Sequence, residues 1–134
     1  METINHEYYI SLEVAKFLKE AGFKWFINTA YRDGVLMRQG NLLCDNFNGK
    51  QYENAARHEF FSAPTLNVVQ RWLREIHHLH ITIYSSSQES WMYRITEPHQ
   101  KLEDGVYGED FNTYEDAQEA GIKKSLEIIL HKGD

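Results

Sequence analysis

Three histidines lie within four positions of the sequence, at His77, His78 and His80. Histidine is a common metal ligand, and His78 and His80 could lie near each other where a predicted helix gives way to a strand. A zinc site needs a third protein ligand, and no spacing in the sequence demands one. We therefore expect the cluster to be the cationic end of a helix, favoured by the helix dipole, with no metal or other cofactor bound.

The single cysteine is a second candidate for chemistry. Cys44 and His58 could act as a thiol nucleophile and its base only if both were held within hydrogen-bonding distance. Cys44 instead lies in a polar, asparagine-rich segment, and no phosphate-binding glycine loop, nucleophile elbow or His-Glu-x-x-His motif occurs in the sequence. We expect no enzyme, and the alternative is a metal-dependent or hydrolytic enzyme that uses the histidine cluster.

Arginine and aromatic residues form a third group, which we predict to be an interaction surface. Its members are Arg71, Arg74, His80, Tyr84 and Arg94. Surfaces of this kind can bind single-stranded nucleic acid by stacking, but the chain carries a net charge of −6. The composition therefore argues against nucleic acid and favours an unidentified protein partner.

The negative charge is concentrated in residues 97–119, which hold eight acidic residues and one lysine. Clustered carboxylates can bind calcium, but the alternating ligand signature of a calcium loop is absent. We expect a solvated acidic loop that leads into the last helix. The alternative is a surface that mimics DNA and occupies a basic site on a partner.

The N-terminal elements follow from periodicity and turn residues. Apolar residues at helical spacing predict a helix over 11–21, ended by Gly22. Asp33 and Gly34 between two short apolar runs predict a tight hairpin. Residues 39–61 show no periodicity and predict a loop, with 41–56 as its most mobile part.

The C-terminal elements are predicted more strongly. A helix should begin at Ser62-Ala63-Pro64 and end at His77 or His78, and a last helix should run from Thr113 to His131. Alternation predicts strands over 79–84 and 90–96, and a third, weak strand near Lys101–Glu103. The expected core residues are Trp72, Leu73, Ile76, Ile81, Ile83 and Leu126.

These elements define an α+β fold with a C-terminal α-β-β-(β)-α unit, whose helices cover one face of a small antiparallel sheet. An N-terminal helix and short hairpin complete it. We predict two parts, residues 1–61 and 62–134, which could also pack as a single domain. Strand 79–84 carries only His80 as a charge on its edge, so a homodimer formed through that edge is expected to weaken below about pH 6.

Several motifs resemble a pattern in small uncharacterised proteins encoded by bacteriophages, prophages and other mobile elements of anaerobic bacteria. In order along the chain they are Leu12-Glu13-Val14-Ala15, Leu18-Lys19-Glu20, Gly22-Phe23, Ala30-Tyr31, Ser62-Ala63-Pro64-Thr65, Gln70-Arg71-Trp72-Leu73-Arg74-Glu75, His80-Ile81, Trp91-x-Tyr93 and Thr113-Tyr114-Glu115-Asp116-Ala117. The resemblance covers most of the chain and skips 39–61. It implies a phage-related origin in a bacterial cytoplasm, and it supplies no activity.

The location is expected to be cytoplasmic. The amino terminus shows no basic region followed by an apolar run, and no apolar stretch is long enough to span a membrane. Taken together, the sequence predicts a non-enzymatic binding or protein-interaction module.

Overall fold

The computed structural model describes residues 5–38, 44–53, 57–87 and 89–131. The chain divides into two compact units, Met1–Thr65 and Leu66–Asp134. Each unit contains a three-stranded antiparallel sheet and at least one helix, so the predicted α+β fold is confirmed.

Within its described residues, the first unit contains one α-helix and three short strands. The helix α1 spans Leu12–Glu20, and the strands are β1 (Thr29–Arg32), β2 (Val35–Arg38) and β3 (Phe60–Ser62). The strand order is β2-β1-β3, and both pairings are antiparallel. Single 3-10 turns lie at His6–Tyr8 and Lys50–Tyr52.

The helix α1 begins and ends as its sequence predicts. The Ser11 hydroxyl accepts a hydrogen bond from the Val14 N–H at 3.3 Å, which caps the first turn. Gly22 has a φ of +92°, and the Phe23 N–H donates to the Leu18 carbonyl at 3.2 Å. This is the Schellman arrangement, and it brings Phe23 into the core, where its side chain is fully buried.

The hairpin predicted at Asp33-Gly34 is confirmed. Both turn residues have positive φ, +51° and +84°, as a two-residue type I′ turn requires. The turn sets the register in which Arg32 lies opposite Val35.

The strand β3 corrects two predictions, a loop through residue 61 and a helix that begins at Ser62. Ser62 is buried, its hydroxyl accepts from the Phe47 N–H at 3.1 Å, and its own N–H donates to Asn48 Oδ1 at 3.0 Å. These partners lie 14 and 15 residues away, so no local pattern reveals them. Of the segment 41–56 that was predicted to be most mobile, residues 41–43 and 54–56 lie outside the described residues.

The part of the second unit that the structure describes contains two α-helices and three strands. The helices are α2 (Leu66–His77) and α3 (Tyr114–Leu130), and the strands are β4 (His80–Ser87), β5 (Ser90–Thr96) and β6 (Val106–Phe111). The strand order is β4-β5-β6, and all pairings are antiparallel.

Two boundaries in this unit differ from the prediction. The helix α2 begins at Leu66, so Pro64 precedes it instead of forming its first turn. The third strand lies at 106–111, whereas residues 102–104 form a 3-10 turn. Part of the segment predicted to be an acidic loop is therefore strand β6. The alternation of apolar and polar residues along β6 is interrupted at Gly108, where a β-carbon would collide with the Tyr93 ring.

The helix α3 packs against the sheet through a close approach at Gly121. A β-carbon at this position would lie 3.1 Å from Ile81 Cγ2 and 3.2 Å from Tyr93 Cβ, closer than ordinary van der Waals contact. The helix starts where it was predicted to start, because the Thr113 hydroxyl accepts from the Asp116 N–H at 3.0 Å and caps the first turn. Its buried apolar residues include Ile122 and Leu126.

The predicted core is confirmed except at one helix position. Trp72, Leu73, Ile81 and Leu126 are buried, and Ile83 is half-buried. Ile76, however, is 51% exposed. It lies in the last turn of α2, just before the chain reverses at His78 with a φ of +57°. Periodicity gives the direction of a side chain, but it does not reveal where the neighbouring elements end.

A partly buried amide network centred on Gln118 joins α2, α3 and β4. The Gln118 side chain is 2% exposed, and its Nε2 donates to Asn67 Oδ1 and to Gln70 Oε1, each at 2.8 Å. Gln70 Nε2 in turn donates to the Ile81 carbonyl at 2.9 Å. The outer edge of β4, predicted to be open, is thus bonded to α2 at Ile81, and self-association through the rest of this edge stays a prediction.

No helix of the described residues is long and apolar enough to cross a membrane.

The core of the second unit can be tested on two residues of one helix. Leu73→Ala should lower the free energy of unfolding by about 2–5 kcal/mol, because it leaves a cavity in a closed core. Ile76→Ala should cost less than about 1 kcal/mol, because this side chain is already half in water. Urea denaturation followed by circular dichroism measures both, and equal losses would show that α2 is wrongly oriented.

The amide network can be tested by truncating its central member. Gln118→Ala should lower the free energy of unfolding by about 1–3 kcal/mol, because Gln70 and Asn67 each lose a buried donor. Arg74→Ala, at an exposed residue of α2 outside the network, is the control and should cost no more than about 0.5 kcal/mol. Equal stability of the two variants would exclude a structural role for the network.

Candidate functional site

The second sheet leaves one of its faces free of α3. The helix lies on the face that presents Ile81 and Tyr93. Because side chains alternate along a strand, their neighbours in sequence point to the opposite face. We call that face the open sheet face. Its residues are His80, Thr82 and Tyr84 on β4, Met92, Arg94 and Thr96 on β5, and Tyr107 on β6, and Met92, opposite Tyr84, is the one that is buried.

The register of the strands places residues of the open sheet face next to each other across all three strands. Thr82 lies opposite Arg94, and Arg94 lies opposite Tyr107. The Arg94 guanidinium carbon lies 5.6 Å from the centre of the Tyr84 ring, within the range of a cation–π interaction. Arg94 and Tyr84 are half-buried, which limits their conformations, whereas His80 and Thr82 are exposed.

Tyr107 belongs to this face and was not predicted. Its side chain is 40% exposed, and its hydroxyl donates to the Leu102 carbonyl. The residue could have been found from strand alternation only if β6 had been placed at 106–111. The misplaced third strand therefore accounts for the omission.

The predicted interaction surface divides between two elements. His80, Tyr84 and Arg94 share the open sheet face, but Arg71 and Arg74 are exposed on α2. The Arg71 Nε donates to Glu75 Oε1 at 2.9 Å, one helical turn further on. Such an exposed pair contributes little to stability.

The three clustered histidines have different surroundings. The His77 ring packs edge-on against Trp72, with ring centres 4.7 Å apart. His78 adopts a left-handed conformation between α2 and β4, and His80 lies on the open sheet face. Among the described residues, no group of three histidine, cysteine or acidic side chains is arranged to hold a metal ion.

Cys44 and His58, the other pair considered, both lie in the first unit, where Cys44 is exposed. The imidazole of His58 is bonded to a carboxylate: His58 Nδ1 lies 2.5 Å from Asp33 Oδ2. The two residues are 25 positions apart, and the sequence signalled Asp33 only as a turn residue. An imidazole held by a carboxylate has a fixed orientation, and its second nitrogen can bind another group.

Asp33 clamps the hairpin turn to the chain that leads into β3. Its Oδ1 accepts from the Glu59 N–H at 2.8 Å, and its own N–H donates to the Glu59 carbonyl at 2.9 Å. The hydrogen bond from the Glu59 amide, followed by that from His58, lowers the pKa of the Asp33 carboxyl. Asp33 is therefore ionised at neutral pH, and each of its two carboxylate oxygens accepts a hydrogen bond.

These groups border an open cleft of about 560 Å³ in the first unit. Its lining comprises Lys19, Asp33, Tyr52, Glu53, Arg57, His58, Glu59, Phe60 and Phe61. The Tyr52 hydroxyl donates to Asp45 Oδ2 at 2.6 Å, and this bond raises the pKa of Tyr52 to about 12. We call this site the Asp33 cleft.

Comparison with known proteins gives no relative: no family model, curated protein or solved structure matches the chain.

The Asp33 clamp predicts a specific titration. The carboxyl of Asp33 should titrate below its usual value of 3.8, and His58→Ala should raise the pKa only part of the way back. The Glu59 amide, which is the larger cause, remains in that variant. Because the folded-state pKa is lowered, the stabilisation is complete above about pH 5 and is lost as the pH falls through that pKa.

Carbon-13 NMR of the side-chain carboxyl measures this titration directly. Lys24→Ala, an exposed substitution elsewhere in the first unit, is the control and should leave the midpoint unchanged. An unaltered Asp33 midpoint in His58→Ala would contradict the bond between the two side chains.

Proposed function

We propose that this protein is a non-enzymatic protein-interaction module that binds its partner through the open sheet face. The observation that supports it is the packing of Arg94 on Tyr84 in the middle of that face. Arginine and tyrosine are the residue types that contribute most to binding at protein interfaces. A pair that is already packed loses little side-chain entropy when a partner arrives.

The chemistry of the face indicates which kind of partner fits it. Arg94 offers a planar set of donors that matches a carboxylate, and Tyr84 and Tyr107 offer flat apolar area. Residues 97–119, which include the strand β6, are strongly acidic. A polyanion would be repelled, so the proposed occupant is a protein segment with one carboxylate among apolar side chains.

The setting that we propose is the bacterial cytoplasm, in a phage or mobile element. This part of the proposal is supported only by the sequence motifs that resemble phage proteins. A homodimer is the simplest case of a protein partner, because a second copy also offers carboxylates beside apolar residues. Sedimentation at neutral pH distinguishes a self-associating chain from one that needs another protein.

The binding surface is tested by amide NMR on the full chain. The probe is a short blocked peptide with one glutamate between leucine and phenylalanine, and the control peptide carries glutamine in its place. The glutamate peptide should shift the amides of Thr82, Arg94 and Tyr107 in a saturable manner. Arg94→Ala should weaken this binding about tenfold, which corresponds to about 1.4 kcal/mol.

Arg71→Ala removes an equal charge from α2 and is the matched control, since it should bind as the unaltered protein does. Equal binding of the two peptides, or shifts outside the open sheet face, would contradict the proposal. Tighter binding of a single-stranded oligonucleotide on the same amides would replace the protein partner with a nucleic acid.

A further inference from the structure

The Asp33 cleft contains charged groups of both signs. Asp33 and His58 are bonded to each other, so neither is fully available to a ligand. Four further charged residues line the cleft, the cations Lys19 and Arg57 and the carboxylates Glu53 and Glu59. Within the described ranges, none of these four forms an ion pair with another residue.

Aromatic rings form the apolar part of the same cleft. Tyr52 and Phe60 have ring centres 5.0 Å apart, and the His58 ring meets Phe60 edge-on. The Lys19 ammonium lies 5.1 Å above the centre of the Phe61 ring, which points to the opposite face of β3 from Phe60, so this pair borders the cleft on the other side of the strand. The Tyr52 hydroxyl is fixed by Asp45, which limits the motion of this ring.

Two cations, two carboxylates and several aromatic rings complement one chemical class of ligand. A ligand that is only anionic would meet Glu53 and Glu59, and a ligand that is only cationic would meet Lys19 and Arg57. A zwitterion satisfies both signs, and a planar apolar group on it can stack on the rings. The volume, about 560 Å³, lies within the range of about 300–1,000 Å³ found for small-molecule sites.

We propose that the Asp33 cleft binds a zwitterion that carries a planar apolar group, namely an aromatic α-amino acid or a short aromatic peptide with both termini free. The ligand carboxylate lies toward Arg57 and Lys19, and the ammonium lies toward Glu53. This site goes beyond the proposed function, because it lies in the other unit and shares no residue with the open sheet face.

The experiment is a calorimetric and amide-NMR titration of the full chain with L-phenylalanine and L-tryptophan. N-acetylphenylalanine and phenylalaninamide, which each lack one of the two charges, are the matched control ligands. Both zwitterions should shift the amides of His58, Phe60 and Phe61 in a saturable manner. Each control ligand should bind at least about tenfold more weakly, which is the effect of losing one charged hydrogen bond.

Two conservative variants identify the residue that binds each charged group of the ligand. Arg57→Gln should weaken the zwitterion and N-acetylphenylalanine but not phenylalaninamide, whereas Glu53→Gln should weaken the zwitterion and phenylalaninamide but not N-acetylphenylalanine. Lys24→Ala is the surface control and should bind as the unaltered chain does. Unchanged circular dichroism and thermal midpoints show that these exposed substitutions leave the fold intact.

A further titration with a dipeptide distinguishes a peptide ligand from a free amino acid. If phenylalanyl-alanine binds more tightly than phenylalanine, the cleft takes a peptide, and the reverse order identifies a free amino acid. Absence of saturation by every zwitterion at about 10 mM would overturn the proposal. Equal binding of a zwitterion and a singly charged derivative would also overturn it.

Discussion

The close approach of α3 to the second sheet at Gly121 determines which surfaces of this unit are available. A side chain at that position would be within 3.2 Å of Ile81 and Tyr93, so only glycine lets the helix lie so near the strands. The apolar side chains at alternate positions of the strands, such as Ile81 and Tyr93, are then covered by α3. His80, Tyr84 and Arg94 lie on the opposite face of the sheet. The Gln118 network keeps α2 beside the same helix.

The first unit depends on a different local constraint. Asp33 bonds the hairpin turn to Glu59 through two hydrogen bonds and holds the His58 ring through a third. A single carboxylate therefore sets both the start of β3 and one wall of the cleft. The two units thus offer surfaces of different chemistry, one flat and rich in tyrosine and arginine, the other concave and bordered by both signs of charge.

Local sequence signals predicted the elements whose stabilising contacts are local. The caps of α1 and α3 and the type I′ turn are formed by residues within a few positions of one another, and the sequence predicted where both helices start and where the turn lies. The strand β3 depends on Asn48 and on pairing with β1, and its three residues carry no periodicity. The strand β6 was misplaced because glycine occupies one inward position, against Tyr93.

The residues of the candidate sites were likewise predictable only where local patterns position them. Alternation along two predicted strands placed His80, Tyr84 and Arg94 on one face, whereas Tyr107 required the correct position of β6. No pattern in a single sequence could pair Asp33 with His58, because the contact is made by the turn geometry and by β3. The cleft is a product of non-local pairing, and only the folded chain reveals it.

The proposed function depends most on whether the open sheet face is accessible in the intact chain. Hydroxyl-radical footprinting read by mass spectrometry measures this at individual side chains. His80 and Tyr107 should be oxidised rapidly, whereas Tyr93 and Trp72, which are 7% and 2% exposed, should be protected. Protection of His80 and Tyr107 to the same degree as Tyr93 would show that this face is covered, and would contradict its role as a binding surface.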